Sequence, residues 1–157
     1  MEGKTRNKII VLLLSRVKFN DESVKYCLNY AHENRFKLKV LYIQEITNLK
    51  LMEGLLDMGL VTEGIRESFY KSCLQQCFEV AKSKLGIIKE KAEKKRVSCD
   101  VVIRSGNIFK EGLSFIKETG ANIVILENSF WLTIFRLVSC SGISNFIKKS
   151  QSPVVIV

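Results

Sequence analysis

The chain has 157 residues, 46% of them hydrophobic and 26% charged, with a formal net charge of +9 and one histidine. That is enough for one globular domain with a proper core. A single proline and the lack of a Ser/Gly/Pro-rich linker exclude an obvious second domain, so 1–157 is read as one unit.

Lys8 to Leu14 (KIIVLLL) is a continuous apolar run, the pattern of a strand buried on both faces. The polar stretch Ser15 to Asn20 follows. Asn20 is placed to cap the next helix, with Asp21 and Glu22 at its positive end. Val24, Cys27, Leu28 and Ala31 give that helix its apolar stripe. Leu38 to Ile43 (LKVLYI) reads as the second strand. Gln44 to Thr62 is rich in leucine but broken by Gly54 and Gly59, and reads as a long loop with short helix.

A long helix is predicted from Glu63 to about Lys95, with Gly86 as a bending point. Its apolar face is Phe69, Cys73, Cys77, Val80 and Ile88, with Leu74, Phe78, Ala81 and Leu85 beside it. Cys99 to Ile103 reads as the third strand, Ile108 to Glu118 as a helix ended by Gly120, and Ile123 to Leu126 as the fourth strand. Ile143 to Lys149 reads as a short helix and Val154 to Val157 as the last strand. Strands alternating with helices, joined by right-handed crossovers, predict a three-layer α/β/α sandwich with a five-stranded parallel sheet, Rossmann-like in class. Ligands of such sheets bind beyond the carboxyl ends of the strands, which selects the loops after Leu14, Ile43, Arg104 and Leu126.

The excess charge is clustered at Lys4, Arg6 and Lys8, and again at Lys89, Lys91, Lys94, Lys95 and Arg96. Such clusters are either solvated faces or contacts for an acidic partner: nucleic acid, an anionic membrane surface or an acidic protein. No RNA-binding aromatic signature or zinc-finger spacing accompanies them, so no specific nucleic acid is expected. The run Ile9 to Leu14 is too short for a signal-peptide core, and Phe130 to Val138 is interrupted by Thr133 and Arg136. A cytoplasmic protein is expected, with its five cysteines as thiols.

Four pieces in order resemble the universal stress protein family: Lys8 to Leu14, LKVLYIQE (Leu38 to Glu45), VVIRSGNIFKEGLSFIKETGANIVIL (Val101 to Leu126) and SPVVIV (Ser152 to Val157). The resemblance covers nearly the whole chain. It implies a regulatory stress-response protein that dimerises by pairing its last strand across a two-fold axis, here Val154, Val155, Ile156 and Val157. It also implies association with transporters or sensor kinases as one alternative, since such domains occur joined to them.

The nucleotide-binding branch of that family carries Gly-x2-Gly-x9-Gly-Ser/Thr after the fourth strand. Counted back from Pro153, the first two glycines fall on Glu127 and Phe130 and the third on Cys140; Ser141 keeps the hydroxyl. The branch's aspartate at the end of the first strand is replaced by Leu14 or Ser15. Glycines let a backbone approach phosphate oxygens, and a carboxylate repels them by about 1 kcal/mol at ~4 Å even in water. The resemblance is therefore to a branch without ordinary ATP binding, and no cofactor is expected. If a nucleotide or anion such as ATP does bind, Ser15, Ile43, Gly106, Ser141 and Gly142 are the candidate ligands.

Ser139 to Gly142 precede the helix predicted at Ile143, and either cap it or hold an anion. Phe130, Trp131, Ile134 and Phe135, with Leu137 and Val138, are apolar nearly all round a helix, and form a candidate partner surface. Cys73 and Cys77 at i, i+4 lack further ligands for a metal and read as buried structural cysteines. His32 lies beside no nucleophile motif, and Glu63 and Glu67 read as helix surface. No enzyme signature is found, and no catalytic or metal residue is assigned.

Overall fold

The computed structural model describes residues 8–15, 19–45, 62–127 and 140–157. Its strands are β1 (Ile9–Leu14), β2 (Lys37–Glu45), β3 (Cys99–Gly106), β4 (Ile123–Leu126) and β5 (Val154–Ile156). Between them lie α1 (Asp21–Asn34), α2 (Glu63–Lys94), α3 (Ile108–Thr119) and α4 (Cys140–Ser150). Every strand pair is parallel, and the sheet order is β3-β2-β1-β4-β5.

The unbroken apolar run of β1 makes it the central strand, because both of its faces are covered. Its side chains alternate between two cores. Ile10, Leu12 and Leu14 meet Val24, Cys27, Leu28 and Ala31 of α1 and Ala81, Leu85, Ile88 and Ala92 of α2. Val11 and Leu13 point the other way, toward Ile108, Phe115 and Ile116 of α3 and Phe146 of α4. Two helices on each face of one parallel sheet give the three layers the sequence predicts.

The Gly-Ala-Asn segment before β4 is a structural joint. Gly120 takes a left-handed conformation at φ 62° and ends α3. Ala121 is buried. The Asn122 side chain accepts from the Ile9 amide at 2.8 Å, while its own amide donates to the Ile9 carbonyl at 2.8 Å. Ser152 donates to the Ala121 carbonyl at 2.7 Å, which fastens the entry to β5.

Several expectations are corrected. β2 runs on through Gln44 and Glu45, because those residues pair with Ser105 and Gly106 of a β3 that is also longer than expected. The core face of α2 is Ala81, Leu85, Ile88 and Ala92, confined to its second half. Phe69 and Val80, placed on that face by the sequence, are exposed. α2 is continuous through Gly86. Cys77 is exposed and Cys73 half-buried, so the buried-cysteine reading fails for this pair. α4 begins at Cys140, one turn earlier than predicted, which puts Ser141 and Gly142 inside its first turn. Ser139 and the apolar cluster Phe130, Trp131, Ile134 and Phe135 lie outside the described residues, as does 46–61 of the predicted long loop.

Candidate functional site

In this strand order the chain reverses direction across the sheet between β1 and β4. The crevice beyond the carboxyl ends of those two strands is where α/β sheets of this kind hold ligands. Leu13 pairs with Leu126, so β1 and β4 end together, with Glu127 level with Leu14 and Ser15 one residue beyond. The Ser15 hydroxyl is buried and has no hydrogen-bond partner among the described residues.

Glu127 is 2% exposed. Its Oε1 accepts from the backbone amide of Asn20 at 2.7 Å. Asn20 is the N-cap of α1, its side chain accepting from the Glu22 amide at 3.0 Å. A carboxylate of the chain itself thus sits at the positive end of a helix, the kind of place where α/β proteins often bind phosphate. Asn20 and Glu127 are 107 residues apart, and the sequence gives no sign of their pairing.

Gly106 closes β3 at φ 151°, a conformation that favours glycine. A Cβ there would stand 3.0 Å from Glu111 Cγ and 3.2 Å from Glu111 Oε1. The missing side chain leaves room for the Glu111 carboxylate. Asn107 caps α3 by accepting from the amides of Phe109 and Lys110 at 3.0 and 3.1 Å. Arg104 is engaged by other residues here: it donates to Glu118 at 2.6 Å and lies 3.7 Å from Glu111. Hydrogen bonds from Arg104 and Ser114 hold the Glu118 carboxyl down at about 2. Ile43 is fully buried in the core, which leaves only its main chain to meet a ligand.

Helices of a parallel sheet run against the strands, so their N-termini gather at this end. The first turns of α1, α2 and α3 carry Asp21 and Glu22, Glu63, and Glu111, and that of α4 carries no acid. Asp21 is paired with Lys91 at 3.0 Å and Glu111 lies 3.7 Å from Arg104, which leaves Glu22 and Glu127, both at the start of α1, to oppose a polyphosphate there. Strand pairing brings Ser15 and Glu127 to the same end of the sheet. Gly106 stands two strands away, and Ser141 and Gly142 start α4. Among the described residues no group of three His, Cys, Asp or Glu is arranged to hold a metal ion.

No family model matches the sequence, and no curated protein matches it. Solved structures do. The hypothetical protein MJ0577 superposes with a TM-score of 0.71 at 19% identity, covering 96% of this chain and 95% of that one. Universal stress protein UspA from Lactobacillus plantarum gives 0.69 at 13% identity over 97% and 98% of the two chains. A universal stress family protein from Arabidopsis thaliana, crystallised with AMP bound, gives 0.55 at 13% identity over 96% and 90%. With almost complete mutual coverage, the chain has the fold of the universal stress proteins.

Proposed function

We propose that this protein is a universal-stress-type regulatory domain that acts as a dimer through contacts with other proteins, without ordinary ATP binding. The observation that carries this reading is the buried Glu127 carboxylate bonded to the Asn20 amide at the switch point of the sheet. It supports a crevice whose anion is built in. Glu22, in the first turn of the same helix, adds to that field.

A second reading, a nucleotide-binding switch with a rewritten loop, draws on two observations. Neighbours in fold were crystallised with AMP, dAMP and cAMP. The Ser15 hydroxyl at the crevice has no hydrogen-bond partner among the described residues.

Thermal denaturation with millimolar Mg-ATP, AMP and cAMP separates the two. A ligand present at 100 times its Kd stabilises the fold by about 2.7 kcal/mol, which shifts the melting temperature visibly. The expected result is no shift for the wild type and a shift that appears in Glu127→Gly. A clear shift in the wild type, lost in Ser15→Ala, would establish the switch instead.

A further inference from the structure

The opposite end of the sheet carries a different site. A cleft of about 830 Å³ opens there between the ends of α1 and α2 and the starts of β1, β2 and β3. That volume is typical of small-molecule sites. Among the described residues its cations are Lys8, Arg35, Lys37 and Arg96; His32 also lines it, and no described carboxylate does. Buried Ala31 and Val97 and the half-buried Phe36 supply apolar surface, and Asn34 and Ser98 supply hydrogen-bonding groups.

Helix ends explain part of this charge, because cations compensate the negative ends of helices. The magnitudes show that they do not explain all of it. The two helix ends together amount to roughly one negative charge. Asp100 neutralises Lys37 at 2.7 Å. Lys8 lies over the Phe36 ring at 5.6 Å, and among the described residues neither it nor Arg35 or Arg96 forms an ion pair. An excess of roughly two positive charges is left in the cleft after the helix ends are counted.

The same two arginines take a left-handed backbone at the ends of their helices. α1, α2 and α3 end alike, each with a left-handed residue whose successor's amide reaches back to a carbonyl of the last turn. The bonds are Phe36 to Ala31 at 2.9 Å, Val97 to Ala92 at 2.9 Å and Ala121 to Ile116 at 3.3 Å. The left-handed slot ordinarily takes glycine. In α3 it holds Gly120, whereas in α1 and α2 it holds Arg35 at φ 57° and Arg96 at φ 56°; Gln151 after α4, at φ 54°, is the other non-glycine residue in this conformation among the described residues. The strained residue is arginine at both helix ends that line the cleft. The neighbouring hollow of about 500 Å³ beside Gly120 contains a single cation, Lys117.

We infer that this cleft binds a phosphate-bearing small molecule, with Arg35 and Arg96 as its principal ligands and Lys8 as a supporting charge. Guanidinium forks match phosphate oxygens in geometry and stay charged at every physiological pH. The site lies at the end of the sheet remote from Ser15 and Glu127, and is independent of whether a nucleotide binds there.

The test uses isotope-labelled full-length protein titrated with pyrophosphate, following the amides of Arg35, Arg96, Val97 and Ser98. Saturable shifts are expected at these residues. Arg35→Gly/Arg96→Gly should weaken binding by about tenfold or more for each arginine removed. Glycine suits the left-handed slots, so the variant should melt no lower than the wild type. A second variant, Arg35→Asn/Arg96→Asn, keeps a side chain that tolerates that conformation and should lose binding equally. Phosphatidylcholine vesicles with and without phosphatidic acid identify the source of the phosphate. Binding to phosphatidic acid that pyrophosphate competes away indicates a lipid headgroup, and pyrophosphate binding alone indicates a free phosphate. The proposal is overturned by the absence of saturable shifts, by shifts centred on Ser15 and Glu127, or by pyrophosphate or vesicle binding that survives in both variants.

Discussion

Cys27 is sealed between α1 and the sheet, and burial pushes its thiol up to about 12. Cys99, at the start of β3, is pushed to about 11, first by burial and then by the neighbouring Asp100 carboxylate. Both thiols stay protonated in the folded protein at pH values where an unfolded chain would ionise them. The folded state then holds more protons than the unfolded one, so stability falls as pH rises. The loss begins near the ordinary thiol value of 9.0 and continues to about 12 for Cys27. Urea denaturation from pH 8 upward should show this decline, with Cys27 contributing about 1.4 kcal/mol per pH unit inside that window. Cys27→Ala should flatten the slope while lowering stability at neutral pH. Of Cys27, Cys73, Cys77 and Cys99, thiol labelling of the native protein should modify the exposed Cys77 first and leave Cys27 untouched. Glu127 teaches a different lesson at the same scale. The sequence places a carboxylate where a glycine was expected, but its bond to Asn20 depends on β1 and β4 lying side by side.

Among the elements, α2 departs furthest from its sequence pattern. Its apolar residues go partway round the helix, and periodicity alone did not choose between the stripes. The sheet needs a contact at every third or fourth residue, and Ala81, Leu85, Ile88 and Ala92 meet it. Ile65, Phe69, Phe78, Val80 and Ile87 stay exposed. Gly86 lies on this continuous helix, and a Cβ added there would meet nothing within 4 Å. Gly86→Ala should therefore stabilise the protein by about 1 kcal/mol through reduced freedom of the unfolded chain. A rise in the denaturation midpoint with an unchanged slope would verify it; a fall would mean that Gly86 has a packing role. The helix caps were more legible, because a cap is written within a few residues. Asn20 holds a helix start and Gly120 a helix end, as the sequence predicts, and the structure adds Asn107 at the start of α3.

At the scale of the whole molecule, β5 forms one edge of the sheet. On its inner side the Pro153 carbonyl accepts from Val124, and the Val157 amide donates to the Leu126 carbonyl at 3.1 Å. Strand alternation then turns the amides of Val154 and Ile156 toward the open edge. Ile156 is 43% exposed. This edge fits the proposed two-fold pairing of Val154 to Val157. Ile156→Pro removes one outward donor and leaves the ladder to β4 intact. Sedimentation should show a dimer for the wild type and a monomer for this variant, with the fold retained by circular dichroism. A wild-type monomer, or a variant dimer of undiminished affinity, would move the contact elsewhere. The molecule also separates its charge, with acidic first turns at one end and basic last turns at the other. Lys94 in α2, Lys117 in α3, and Lys148 and Lys149 in α4 lie in last turns, whereas Lys91 reaches back to Asp21 in the first turn of α1 at 3.0 Å.

The sequence by itself determined the order of strands and helices, the parallel class of the sheet, and the caps at Asn20 and Gly120. These are local signals, carried by hydrophobic period and by single residues with restricted or permissive backbones. Only the tertiary structure decided what depends on distant segments meeting. It chose the buried stripe of α2, bonded Glu127 to Asn20 across 107 residues, and gathered Lys8, Arg35 and Arg96 around one cleft. The reason is physical: burial and charge proximity follow from which strands become neighbours, and no window of sequence contains both partners.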